Sequence, residues 1–414
     1  MRGVEGGSST AGDQLRPQLS RLRCLLYALT FLSATQQMSI APVLPYYVHR
    51  FALSGIAEGV LVAATAFATL AVSVPAGALC DRLGARRLTI FAGVAMVLAA
   101  LLQGFTPSFE ALVAARLLFG AGYGILWTAG LAWLSAASPE SGGLGGTVVF
   151  AGAGGILGPV FVGLGAQYFG VAVPFTAVAV LVGVATLLLA TLRVPAPVLS
   201  KPEPVLASLR TALGDRSTIA AMLAVTVAGM SSGFATLLVP YVFHAAGGSA
   251  GEIGLAFSAA AVTFVLGSVV TERLGSRAVR VRTAAVTVLL LVVVTWPSTL
   301  SATPLAAVIM LCGTGAARAI LWTVSYPLGA RGAEQSATGV GVVMGLLNTV
   351  WAATAVVSPL FAGALVGPLG PRVTFGVSQV AMLCVLGVTL AWMRSSRRAD
   401  PLVSPRWGRP LARH

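Results

Sequence analysis

Asp81-Arg82-Leu83-Gly84-Ala85-Arg86 and Glu272-Arg273-Leu274-Gly275-Ser276-Arg277 are two versions of one charged loop. Each reads acid, Arg, Leu, Gly, small residue, Arg, and each lies between two long apolar runs. A loop repeated about half a chain apart points to a molecule built from two similar halves.

The runs around the loops fix the solvent. Of 414 residues, 57% are hydrophobic and 9% charged, against about 25% charged in an ordinary soluble domain. In water such a chain would expose large apolar patches, so the lipid bilayer is the expected surrounding. Cys24, Cys80, Cys312 and Cys384 are widely spaced, with no CxxC pair and no metal-ligand spacing. They read as thiols in apolar helices, and neither metal nor cofactor is expected. The apolar run after Arg23 is too long for a cleavable signal.

A membrane helix needs about 20 mostly apolar residues. Twelve runs qualify, at about 22–48, 57–80, 88–105, 109–134, 145–169, 171–192, 217–243, 251–272, 283–301, 304–329, 337–363 and 372–394. The expected fold is all-α, with twelve transmembrane helices in two pseudo-symmetric six-helix bundles. The domains are an N-terminal segment 1–21, a bundle 22–192, a linker 193–216, a bundle 217–394 and a basic tail 395–414. The linker carries Pro195, Pro197, Pro202 and Pro204 with several basic residues, the composition of a solvated connector.

With the N-terminus placed in the cytoplasm, all but four of the 26 basic residues fall on that side. The exceptions are Arg50 and Arg372 outside, and Arg116 and Arg318 within helices. This asymmetry supports cytoplasmic N- and C-termini in the plasma membrane. It also accounts for the net charge of +14 without nucleic acid.

The repeat extends beyond the loops. Leu44-Pro45-Tyr46 corresponds to Val239-Pro240-Tyr241, Ile125-Leu126-Trp127-Thr128 to Ile320-Leu321-Trp322-Thr323, and Pro159-x3-Gly163 to Pro359-x3-Gly363. Each pair is about 190–200 residues apart, in the same order, so the halves are parallel repeats about an axis along the membrane normal.

Three motifs resemble the major facilitator superfamily. Gly77-Ala78-Leu79-Cys80-Asp81-Arg82-Leu83-Gly84-Ala85-Arg86-Arg87 is similar to the family's loop signature between the second and third helices, departing at Ala85, where a basic residue is usual. Arg116-Leu117-Leu118-Phe119-Gly120 resembles its Arg-x-x-x-Gly motif in the fourth helix, with Phe119 where Gln is common. Gly145, Gly154, Gly158, Pro159 and Gly163 resemble the fifth-helix motif of the drug/proton antiporter branch, with Val162 replacing a Gly. The resemblance implies a transporter rather than an enzyme, and a gate role for Gly77, Asp81, Arg82, Gly84, Arg86 and Arg87, with Glu272 and Arg273 in the second copy. An ordinary solvated loop of arginines is the alternative.

The remaining candidates follow from cost. An arginine inside the bilayer costs several kcal/mol unless paired or wet, so Arg116 and Arg318 mark proton coupling or a cavity. The alternatives are snorkelling for Arg116 and a bond to backbone carbonyls for Arg318. Arg116, Gly120, Tyr123, Gly124 and Trp127 share a helix face by spacing. Gln36, Gln37, Tyr123, Trp127, Tyr241, Trp322, Tyr326, Asn348 and Trp351 are candidate cavity residues, or simply packing and interhelical bonds. Gly158-Pro159 is expected to bend its helix. No carboxylate lies in mid-membrane. Glu58, Glu110 and Glu252 begin helices, where acids usually serve as caps, and Glu58 or Glu252 is the best carboxylate for coupling.

The expected activity is proton-driven export of an amphipathic neutral or anionic compound by a monomer, with protons and a small molecule as partners. An uptake carrier or uniporter for a metabolite or sugar is the second reading, and a non-transporting receptor on the same fold the third.

Overall fold

In the computed structural model, residues 8–137, 144–192, 194, 211–336, 338 and 340–398 are described. Most of the expected linker, the extreme N-terminus and the tail from 399 lie outside them. The described chain is all-helical. The first half comprises α1 (Ser8–Met38), α2 (Ile40–Phe51), α3 (Gly55–Leu83), α4 (Ala85–Phe105), α5 (Phe109–Ile125), α6 (Leu131–Ala137), α7 (Leu144–Phe169) and α8 (Ala172–Thr191). The second comprises α9 (Arg216–Ala245), α10 (Ala250–Leu274), α11 (Val281–Thr295), α12 (Pro297–Leu300), α13 (Pro304–Gln335) and α14 (Val340–Arg398).

Among the described residues ten helices are long and apolar enough to cross a bilayer. The last of them is two arms meeting at Gly370, whose φ of 74° and ψ of 169° break the helix. The α1–α2 pair, interrupted at Ser39, supplies the remaining candidate for the expected set. Helix starts are written locally. Ser54, Ser108, Asp215 and Thr303 each accept a backbone N–H from the first turn, which satisfies one of the donors a helix start leaves free.

Each half has its own core. Leu22, Leu26, Met96, Phe119, Trp133 and Val182 are buried together in the first. Phe234, Leu238, Met310 and Phe375, with Val227, Leu291 and Leu321, fill the second. Large apolar side chains also point outward, among them Phe105 at 64%, Leu187 at 69% and Val388 at 70% exposure. An apolar exterior over apolar cores is the arrangement lipid requires.

The two halves meet at the end of the bundle away from the termini, here the distal end. Two seams form there. A Cβ at Gly55 would strike the carbonyl of Gly363, and one at Gly59 that of Pro359, so α3 and α14 touch backbone to backbone. Gly163 and Gly254 do the same between α7 and α10, against the carbonyls of Ala250 and Pro159. The seams are symmetry mates: a Pro-x3-Gly helix lies on a small-x3-Gly helix in both. Among the described residues, no glycine approaches the other half's backbone this closely at the termini end.

Candidate functional site

The α7 motif divides its work. Gly154 and Gly158 lie against the backbone of Phe31 and Thr35 in α1, within the first half, whereas Pro159 and Gly163 form the seam with the second half. Only the last turns of the motif therefore join the halves. α7 is one unbroken helix from Leu144 to Phe169 despite Pro159.

The two intramembrane arginines have different surroundings. Arg116 is 1% exposed. Its Nη1 donates to Gln103 Oε1 at 3.4 Å, and its guanidinium lies 5.8 Å from the Phe119 ring centroid. Tyr47 O–H donates to the Gln103 carbonyl at 2.6 Å, which ties α2, α4 and α5 into one cluster. Thr65 and Thr69 of α3 donate to the carbonyls of Arg116 and Gly120 at 3.3 and 3.0 Å. Arg318 is only partly buried. Its Nε has no protein partner, as is also true of Arg116 Nε, but unlike Arg116 its side chain has no hydrogen bond or ion pair at all among the described residues.

Arg318 sits one turn above an aromatic cluster. Trp322 meets Tyr326 at 5.5 Å and Trp351 at 6.0 Å, both edge-on. Tyr326 O–H donates to Asn348 Oδ1 at 2.9 Å. Arg318, Trp322 and Tyr326 are spaced by four on α13 and share a face; Asn348 and Trp351 come from α14. In the first half Tyr123 and Trp127 pair at 5.8 Å, and Trp127 Nε1 has no protein partner. Trp127 lies in a π-helical turn, Leu126–Gly130, a distortion common at functional sites. Gln36 is fully buried and donates to the Met96 carbonyl at 3.3 Å. The Oε1 atoms of Gln36 and Gln37 have no protein partner. Tyr241 does not join these groups; it is 37% exposed near the distal end of α9.

The carboxylates separate as well. Glu252 is exposed and forms a capping box with Ser249. Glu110 is exposed in the first turn of α5, where Ser108 is the cap. Glu58 is 5% exposed and is not the cap, since Ser54 fills that role.

At the termini end, Gly84 turns α3 into α4 with φ of 81°, a value that favours glycine. Arg86 Nη2 donates to the Ala190 carbonyl at 2.6 Å, at the end of α8 where a cation suits the helix dipole. Arg82, Arg87, Glu272 and Arg273 are exposed. The surroundings of Gly77 and the Asp81 side chain lie outside what is described. Among the described residues no hydrogen bond or ion pair joins the two charged loops.

Sequence reasoning passed over one feature. A cavity of about 340 Å³ opens between the halves at the distal end, lined by Tyr46, His49, Arg50, Ala166, His244 and Ile253, among others. His49 and His244 are symmetry mates by the same offset that relates Tyr46 to Tyr241, so the repeat itself was the available signal.

A model of the Major Facilitator Superfamily matches residues 26–343 and again 220–413. The chain belongs to the Major Facilitator Superfamily. The second match starts about half a chain after the first, as the duplication requires. Membership makes this a multi-pass membrane protein of a transporter family. No curated protein matches the sequence. Among solved structures, a bacterial homologue of the human lysosomal transporter Spinster, in an inward-facing, unoccupied conformation, is similar with a TM-score of 0.72 at 15% identity, over 95% of this chain and 99% of that one. The nucleoside transporter NupG is similar with a TM-score of 0.71 at 14% identity, over 90% and 99%. A POT family transporter in complex with a thioalcohol-conjugated peptide gives 0.69 at 13%, over 90% and 96%. These major facilitator likenesses establish the fold.

Proposed function

We propose that this protein is a proton-driven exporter of an amphipathic neutral or anionic organic molecule, working by alternating access as a monomer in the plasma membrane. The observation that carries the substrate class is the partnerless Arg318 beside Trp322, Tyr326, Trp351 and Asn348. A cation without a protein carboxylate leaves its donors for a ligand, and the rings offer flat apolar surface. The α7 motif supports the export direction. Positive-inside charge supports cytoplasmic termini, which supports reading the distal end, where the two seams close, as the outer one and this conformation as inward-facing.

The second reading is an uptake carrier or uniporter for a metabolite. It is favoured by the absence, among the described residues, of a carboxylate at the aromatic cluster, and by a nucleoside transporter among the similar folds. Proteoliposomes with an imposed proton gradient separate the two. Export predicts gradient-driven flux of amphipathic compounds with counter-movement of protons. Flux indifferent to the gradient supports the uniporter, and binding without flux under any gradient leaves only a receptor.

A further inference from the structure

The two distal seams are built alike from backbone and small residues, but one contains an acid. Glu58 lies between Gly55 and Gly59, the two glycines of α3 that meet α14. It is 5% exposed, and no hydrogen bond or ion pair reaches its carboxyl group among the described residues. Its symmetry mate, by the offset that takes Gly59 to Gly254, is Ile253 in the α10 seam, which is fully buried. An apolar residue is what such a seam ordinarily requires. An unpaired carboxylate closed into it is penalised by several kcal/mol, whereas a neutral carboxyl is tolerated far better.

The neighbouring elements offer no counter-charge. The α14 arm from Val340 to Gly370 contains no titratable residue. α5 contributes Glu110, which is exposed, and Arg116, which is held by Gln103. α2 contributes Tyr46, Tyr47, His49 and Arg50, and of these Arg50 is bound to the Tyr46 hydroxyl and Tyr47 to Gln103. α9 contributes Tyr241 and His244, both exposed. α4 has its two arginines, Arg86 and Arg87, at the opposite end.

We infer that Glu58 is a proton-linked latch on the distal seam: closing α3 onto α14 takes up one proton from the distal solvent onto the Glu58 carboxylate, and opening returns it. The other seam, with Ile253, closes without a proton. The proton enters and leaves on the distal side, so the latch makes closure depend on distal pH and goes beyond the proton-coupled reading proposed above rather than supplying its driving proton.

The test needs no substrate. Spin labels are placed at Pro107→Cys and Leu369→Cys, both exposed at the distal end, in protein whose exposed Cys24 and Cys384 are serine. Distance distributions are then recorded from about pH 5 to about pH 9 in nanodiscs. Wild type is expected to be short at low pH and to gain a longer population as pH rises. Glu58→Gln is expected to stay short throughout, and Glu58→Ile, which copies the mate, to do the same if the glutamine variant does not fold. A wild-type distribution that ignores pH overturns the inference. So does a pH response that survives in either variant. Flux plays no part in this readout, so failure of the export reading and failure of the latch are distinguishable.

Discussion

The helices that begin at Phe109 and Pro304 carry the same four residues, Ile-Leu-Trp-Thr, at equivalent places, and each carries an arginine, near the distal end in α5 and in mid-helix in α13. They have nonetheless become different things. In α5 the arginine is locked: Gln103, Phe119 and the Tyr47 cluster surround it, and the tetrapeptide runs into a π turn. α13 is a single α-helix from Pro304 to Gln335 with Pro327 inside it, and Arg318 lies one turn before Trp322 on the same face with no side-chain partner among the described residues. Duplication supplied two copies of one helix. One now anchors its half, and the other presents a charge.

This contrast can be broken by substitution. Arg116→Ala is expected to have the largest effect. It strands Gln103 and leaves a void in a buried cluster, lowering stability by about 3 kcal/mol, and flux is lost with it. A melting curve in detergent equal to wild type would end the claim that this arginine is an anchor. Arg318→Ala is expected to leave melting unchanged and to cut substrate flux at least about tenfold, or about 1.4 kcal/mol. Equal destabilisation of the two variants would erase the difference between the helices. Trp322→Leu removes a ring face and should weaken binding by about 1 kcal/mol, roughly fivefold, read from a binding isotherm. Tyr326→Phe loses only the bond to Asn348 and should cost the least, about 0.5–1 kcal/mol; an effect exceeding that of Trp322→Leu would shift the centre of the site toward Asn348.

Much of the fold is legible in the sequence because crossing a bilayer imposes a length and a composition on each span. The expected runs at about 57–80 and 251–272 correspond to Gly55–Leu83 and Ala250–Leu274. The run at about 22–48 is less faithful. It is two helices, and the polar Gln36-Gln37-Met38-Ser39 stretch was the warning. The run at about 283–301 is likewise split, at Pro297. The π turn at Trp127 was not legible, because hydropathy carries no information about hydrogen-bond register. Spacing placed Arg116 and Trp127 on one face. It had no means of finding Gln103, whose relation to Arg116 exists only once α4 packs beside α5. Glu58 and Glu252 look equivalent as helix-starting acids. Burial is what separates them, Glu58 being 5% exposed beside the glycines of the seam and Glu252 lying in the open, and burial exists only once the helices pack.

The interruption at Ser39 has a mechanical consequence. The stem, α1, packs on α7 and α8 of its own half, while the tip, α2, packs both on α9 and α10 of the other half and on α3 and α7 of its own, where Tyr47 also binds Gln103. A single rigid rod fixed to both halves would resist their rocking along its whole length. Here the contact with the second half is carried by the short tip beyond Ser39, so the first half holds the whole rod and a rocking movement has only the α2 contacts with α9 and α10 to slide or break.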